Sequence, residues 1–489
     1  MNSGKRTMEI LSFREALEQE LHQGILPYWT RHVFNPESGT FTPRIDGNNR
    51  RDPNGTHSII LQTRILWTFA AVTRLIRGKQ YLPYLDAALS TLEKHFLDRR
   101  YGGFYWSLEG DFSILDDAKR TYGQSFAIYA YAEAYLATGR EELKTRASDL
   151  FLLLDEKGFI KDQGAWHEGF SRAWDPLDDV RISPEDPLEI RSTNTHLHLM
   201  EAFANLYRIW PDPLLKNRIH TLLSVFLQKI YHPEEHYFHT FFDDHWHPTT
   251  KIYSFGHDIE TVWLMLDAAQ TISDPVLVQS CEQVLIEVAD HLMHKGIDPK
   301  FGGIYQLGKQ GAVHDTAKHW WPQAEALIGL TRAASLTGND RYLKQAMEIW
   351  NYVTQTFIDR EGGEWFFRVD RFGEPYYFED KAGPWKCPYH TSRAMMETAR
   401  LLSNGILTSN GNGTGVQSNG TASSHSGAEA QSSGSASQSN GTATSANGKP
   451  ANSNGKPVNP NGKPVNPNGT PRETEKEPNM NDNREITSP

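Results

Sequence analysis

The chain has 489 residues, a formal net charge of −11, 11% aromatic residues and only two cysteines, Cys281 and Cys387. That composition argues against nucleic-acid binding, which needs a basic patch, and against a disulfide framework or a thiolate zinc site. No apolar run reaches membrane-spanning length and no apolar signal region follows Met1-Asn-Ser-Gly-Lys-Arg, so a soluble, cytoplasmic protein is expected.

The globular part is predicted to be residues 1–402. From Ser403 to Pro489 the sequence is built of Asn, Gly, Ser, Thr and Pro, and all thirteen Trp precede it. Such a segment buries too little apolar surface to offset chain entropy, so 403–489 is expected to be a disordered tail.

In chain order, helical spacing of apolar residues predicts helices at Ile10 to Gln23, His57 to Arg77, Leu82 to Phe96, Tyr122 to Thr138 and Glu141 to Leu154. The pattern continues with Thr193 to Arg208, Pro213 to Lys229, Phe255 to Gln270, Pro275 to His294, His319 to Ser335, Arg341 to Phe357 and Tyr389 to Leu402. Two kinds of helix alternate. One carries a charged face; the other is apolar nearly all round, and such helices are buried. Each buried helix opens on a polar or aromatic anchor: Arg64, Tyr122, Asn194, His257, Trp320 and His390, spaced 58 to 72 residues apart.

One exposed and one buried helix per repeat is a stacked or closed array. Six pairs joined by Gly- and aromatic-rich connections favour closure: an all-α, (α/α)6 barrel of about twelve helices. An open superhelix is the runner-up, but it calls for more uniform repeats and polar capping helices. In a closed ring the inner helix starts converge, and scattered anchors become one pocket.

That pocket would hold Arg64, Tyr122, Asn194, His198, His257, Glu260, Trp320, Trp321, Glu325, Trp385, His390 and Arg393. His196 and His198 lie two apart and do not share a helix face. No His-Glu-x-x-His is present either, so no metal is expected. Indoles stack on sugar rings and Asn, Arg and Glu bond hydroxyls, so a concave, Trp-lined site suggests a carbohydrate. Glycosidases use two carboxylic acids. Here paired histidines with arginine dominate, which suits proton abstraction beside a carbonyl.

The motifs Asn194-Thr-His-Leu-His198, Gly256-His-Asp-Ile-Glu260, Lys318-His-Trp-Trp-Pro-Gln-Ala-Glu325 and Gly383-Pro-Trp-Lys-Cys-Pro-Tyr-His390 resemble those of the N-acylglucosamine 2-epimerase superfamily, and within it the cellobiose 2-epimerase branch. The resemblance spans roughly residues 8 to 402. It implies no metal or other cofactor, ring opening of a reducing-end glucose, loss of the C2 proton to a cis-enediol, and return of a proton on the other face. On that resemblance His257 and His390 are the acid/base pair, and Arg64 and His198 hold the enediolate oxygens. Glu260 orients a histidine or assists ring opening. Tyr122, Asp186, Asn194 and Glu325 bind hydroxyls, while Trp320, Trp321 and Trp385 stack on the sugars. A monomer acting on a small oligosaccharide is expected. The alternatives are an aldose–ketose isomerase, an N-acylglucosamine 2-epimerase or a non-catalytic sugar-binding protein.

Overall fold

The computed structural model describes residues 3–403. The expected tail beyond Ser403 lies outside the described residues.

Among the described residues are twelve helices of ten or more residues. They are α1 (Ser3–Gln19), α2 (Ile59–Leu75), α3 (Leu82–Thr91), α4 (Thr121–Thr138), α5 (Glu141–Gly158) and α6 (Thr193–Tyr207). Then come α7 (Pro213–Val225), α8 (Phe255–Thr271), α9 (Pro275–His291), α10 (Trp320–Thr337), α11 (Asp340–Thr356) and α12 (Tyr389–Leu401). The even-numbered helices pack side by side in sequence, and α12 returns against α2, so they form a closed inner ring. Each odd-numbered helix lies outside an inner one, with α1 against α12. This is an (α/α)6 barrel.

The sequence accounts for the two layers. Every residue of α4 from Thr121 to Ala134 is buried, whereas α11 buries one stripe, including Leu343, Ala346, Ile349, Trp350 and Val353. Inner helices are capped by Ser58, Ser192 and Ser254, each of which accepts a backbone N–H from the first turn. Outer helices α7 and α9 start with Asp-Pro, the Asp side chain capping the first turn.

The N-terminal helix differs from expectation. It begins at Ser3, and helical turns continue to Val33 despite Gly24 and Pro27. Wide turns at Glu20–Ile25 absorb the irregularity, and Pro27 falls in the first turn of the following piece, where its missing N–H is harmless.

Short strands lead into the inner helices and fix where they start. His57–Ser58 pairs with Ser107–Leu108, Arg191–Ser192 with Phe241–Phe242, Ile252–Ser254 with Leu307–Lys309, and Lys318–His319 with Arg368–Val369. Each strand before an inner helix is thereby tied to a later loop. The inner helix starts are collected at one end of the barrel.

Candidate active site

A cavity of about 690 Å³ opens at that end, lined by residues from all six inner helices and their loops. Arg64, Tyr122, Asp186, Asn194, His198, His257, Glu260, Trp320, Trp321, Trp385 and His390 all line it.

Arg64 stands where the apolar run of α2 needs a reason for its charge. Its Nη2 donates to the Tyr122 hydroxyl at 2.9 Å, and its guanidinium lies over the rings of Phe126 (4.3 Å) and Tyr389 (5.0 Å). On α6, His198 Nδ1 lies 2.8 Å from Glu201 Oε2, one helical turn on. Asn194, a turn earlier, leaves its buried Oδ1 without a protein partner, an acceptor free for a ligand hydroxyl.

The two candidate proton carriers flank one indole. Trp321 lies 4.6 Å from the His257 ring and 5.6 Å from the His390 ring. Burial first, then the charges of His198 and Arg64, lowers His257 to a pKa of about 3. Burial, aided by Arg64 and Arg393, pushes His390 well below its ordinary value. Both are therefore neutral bases at pH 7. His390 Nδ1 lies 2.7 Å from Glu325 Oε1. Glu325 also accepts from Trp263 Nε1 at 3.0 Å and from Arg393 Nη2 at 2.7 Å, both groups that can only donate. With Glu325 ionised beside Arg393, His390 Nδ1 carries the hydrogen and Nε2 is the basic nitrogen.

Behind this surface, α6, α8 and α10 each send one carboxylate to Arg393 of α12. Arg393 contacts Glu201, Glu260 at 2.5 Å and Glu325 at 2.7 Å, and Tyr389 bonds Glu201 as well. Three buried acids on one guanidinium leave a charge excess. Burial first, and then Glu325, raises Glu260 to a pKa of about 7. Ligand atoms of Glu260, Glu325 and His390 lie within 4.8 Å of one another, in the manner of a metal site. The guanidinium of Arg393 bonds the facing oxygens of both glutamates and supplies the positive charge at that point.

Two of the expected carboxylates make other bonds than expected. Glu325 does not line the cavity, where it was expected to meet a hydroxyl; its oxygens bond His390, Arg393 and Trp263. Glu260 turns to Arg393, and its oxygen is 3.9 Å from His390 Nδ1, too long for a hydrogen bond. Glu201 was not singled out from the sequence, although its spacing from His198, i to i+3, was a readable signal. Gln306, Arg368 and Glu379 also line the cavity, Arg368 on the strand paired with Lys318–His319 and the other two on loops.

A model of the N-acylglucosamine 2-epimerase (GlcNAc 2-epimerase) family matches residues 39–394. The chain belongs to this family. As a member of the N-acylglucosamine 2-epimerase family it is an enzyme of the isomerase class. It is 34% identical over 384 residues to the cellobiose 2-epimerase of Bacteroides fragilis, covering 78% of this chain and 98% of that one. It is 30% identical over 382 residues to the cellobiose 2-epimerase of Ruminococcus albus, covering 78% of this chain and 97% of that one. The solved structure of cellobiose 2-epimerase from Bacillus thermoamylovorans superposes with a TM-score of 0.76 at 33% identity, covering 80% of this chain and 99% of that one. The matched region of this family thus takes in all six inner helices apart from the last turns of α12.

Proposed function

We propose that the chain inverts C2 of the reducing-end glucose of β-1,4-linked disaccharides, turning cellobiose into glucosyl-mannose and lactose into epilactose. The observation that carries this is the pair of neutral imidazoles on either flank of Trp321, facing a cavity that also holds Arg64 and His198. The names of the relatives support the disaccharide as substrate. So does a cavity of about 690 Å³, which runs from Arg64 to Trp385 and the loop carrying Asp186.

In the open-chain sugar, one histidine takes the proton from C2. The C–H electron pair becomes the C1–C2 double bond of a cis-enediolate, and the carbonyl pair moves to O1. The Arg64 guanidinium and His198 receive that negative charge in a buried site, where it is strongly felt. The charge also favours protonation of the second histidine, whose ordinary reluctance comes from burial beside Arg64 and Arg393; its proton comes from water in the cavity, and the first imidazolium gives its own proton up to the hydroxide so formed. That imidazolium returns a proton to C2 from the opposite face. In this reading Asn194 Oδ1, which has no protein partner, and Asp186 accept hydroxyls, and Trp385 stacks on the second sugar. All of these groups come from one chain, so the reading requires no second copy.

Incubation with cellobiose or lactose in deuterated water tests this. Deuterium at C2 and a mannose-containing product are expected. Ketose as sole product would assign the enzyme to aldose–ketose isomerisation, and free glucose would mean hydrolysis. His257→Ala and His390→Ala should each lower the rate by about 100-fold or more. Wild-type turnover in both variants would overturn the two-histidine mechanism.

A further inference from the structure

The fourth residue of four consecutive inner helices does the same job. In α4, Gln124 accepts the backbone N–H of Phe104 at 2.9 Å and donates to its carbonyl at 2.9 Å. In α10, Gln323 accepts from Ile304 N at 2.8 Å and donates to Ile304 O at 2.9 Å. In α6, His196 Nε2 lies 3.2 Å from the Trp166 N–H, which can only donate to it, and Nδ1 lies 2.9 Å from Ser192 O, which can only accept. That fixes a neutral imidazole. All three side chains are buried, uncharged, and able both to donate and to accept.

The α8 counterpart is Asp258, directly after His257. It is 2% exposed, and its Oδ1 accepts the Phe238 N–H at 3.0 Å, the bond its counterparts make. Its Oδ2 is buried with no hydrogen-bond partner as an acceptor. As a carboxylate it would leave a full charge against an oxygen that nothing solvates. As a carboxylic acid it carries one donor and one acceptor, as the two glutamines do.

We propose that Asp258 is a positioning residue that stays a neutral carboxylic acid and anchors the start of α8, and with it His257 and Glu260, to the strand Tyr237–Phe238. The surroundings agree. The titratable groups facing it are the phenols of Tyr231, Tyr237 and Tyr253, none of which offers it a positive charge. His236 and Glu287 lie one bond further out, on Tyr231. Burial, opposed only by the Phe238 bond, pushes Asp258 well above the usual carboxylate range. The consequence for catalysis is that no fixed negative charge stands beside His257 to raise its pKa, so the base stays neutral.

The activity arm of the test rests on the epimerase reading; the spectroscopic arm does not. An infrared difference spectrum of wild type against Asp258→Asn at pH 7 should show the carbonyl band of a protonated carboxylic acid. Carboxylate bands in its place would overturn the proposal. Asp258→Asn keeps one donor and one acceptor without a charge, so kcat, KM and the pH profile of kcat/KM should stay within about twofold of wild type. A loss of about tenfold or more in that variant would show that the charge is needed, and would also overturn it. Asp258→Ala removes the tie, and kcat should fall by about tenfold or more with KM nearly unchanged. Unchanged kcat in a folded Asp258→Ala protein would refute the positioning role. If that variant does not fold, the asparagine variant and the infrared band decide. The band is read without turnover, so it stands or falls separately from the epimerase reading.

Discussion

Replacing Arg393 by methionine tests the centre of the barrel most directly. Its side chain is 1% exposed and touches three carboxylates, those of Glu201, Glu260 and Glu325, each 3% exposed or less. Methionine fills much of the same volume but leaves the acids without their cation. Removing one partner of a buried ion pair costs about 3–5 kcal/mol, and here the loss should sit at the upper part of that range near pH 8. The cost depends on pH with a definite sign. Without Arg393 the folded-state pKa values of the three acids rise above their unfolded values, so the folded variant binds more protons than its unfolded chain. Its stability is then greatest at low pH and falls as pH rises. Urea unfolding of wild type and Arg393→Met at pH 5 and pH 8 reads this. The variant's deficit should be markedly larger at pH 8. A deficit below about 1 kcal/mol, or one equal at both pH values, would refute the reasoning.

Glu325→Gln keeps the size of the group that bonds His390 but not its charge; kcat should drop by about tenfold or more with KM within twofold, as initial rates would show, and wild-type kcat would count against the orienting role. At Gly256 an added Cβ would meet the Trp321 ring at 2.5 Å and Pro322 at 2.7 Å. Gly256→Ala should therefore push the indole towards the cavity and raise KM for the disaccharide severalfold; an unchanged KM would mean the indole yields freely. Glu260 has its folded pKa raised from 4.5 to about 7. Its contribution to stability is thus present below pH 4.5 and lost as pH rises through 7. Thermal unfolding of wild type and Glu260→Gln from pH 5 to 8 should show a shallower decline in the variant, and parallel curves would contradict the assignment.

Much of this architecture is legible because periodicity reports burial. The regular return of Arg64, Tyr122, Asn194, His257, Trp320 and His390 is a property of the string, and a ring is the arrangement that makes such a return useful. His257 and His390 share a local signature, a histidine opening an apolar helix after a Gly- or Pro-containing segment. The anionic cluster lacks one. Arg393 meets Glu201 across 192 residues of sequence and Glu260 across 133. Nothing local distinguishes these from surface ion pairs on separate helices. Glu325 shows the same limit at smaller scale. Its position on α10 is evident, but whether it faces the cavity or the wall depends on a rotation of the helix set by packing, and packing turned it to His390 and Trp263. The N-terminal helix ran past Gly24 and Pro27 because tertiary burial of Leu21, Ile25, Leu26 and Trp29 outweighs local breakers.

The tie through Arg393 also bears on how the molecule is finished. The last helix to leave the ribosome among the described residues is the one that seats between α10 and α2, and against α1, where Arg14 reaches Ser403 at 3.4 Å. Without it, Glu201, Glu260 and Glu325 lose the guanidinium that they share. A chain that stops short of residue 389 thus loses His390 from the cavity and leaves three buried acids without their shared cation.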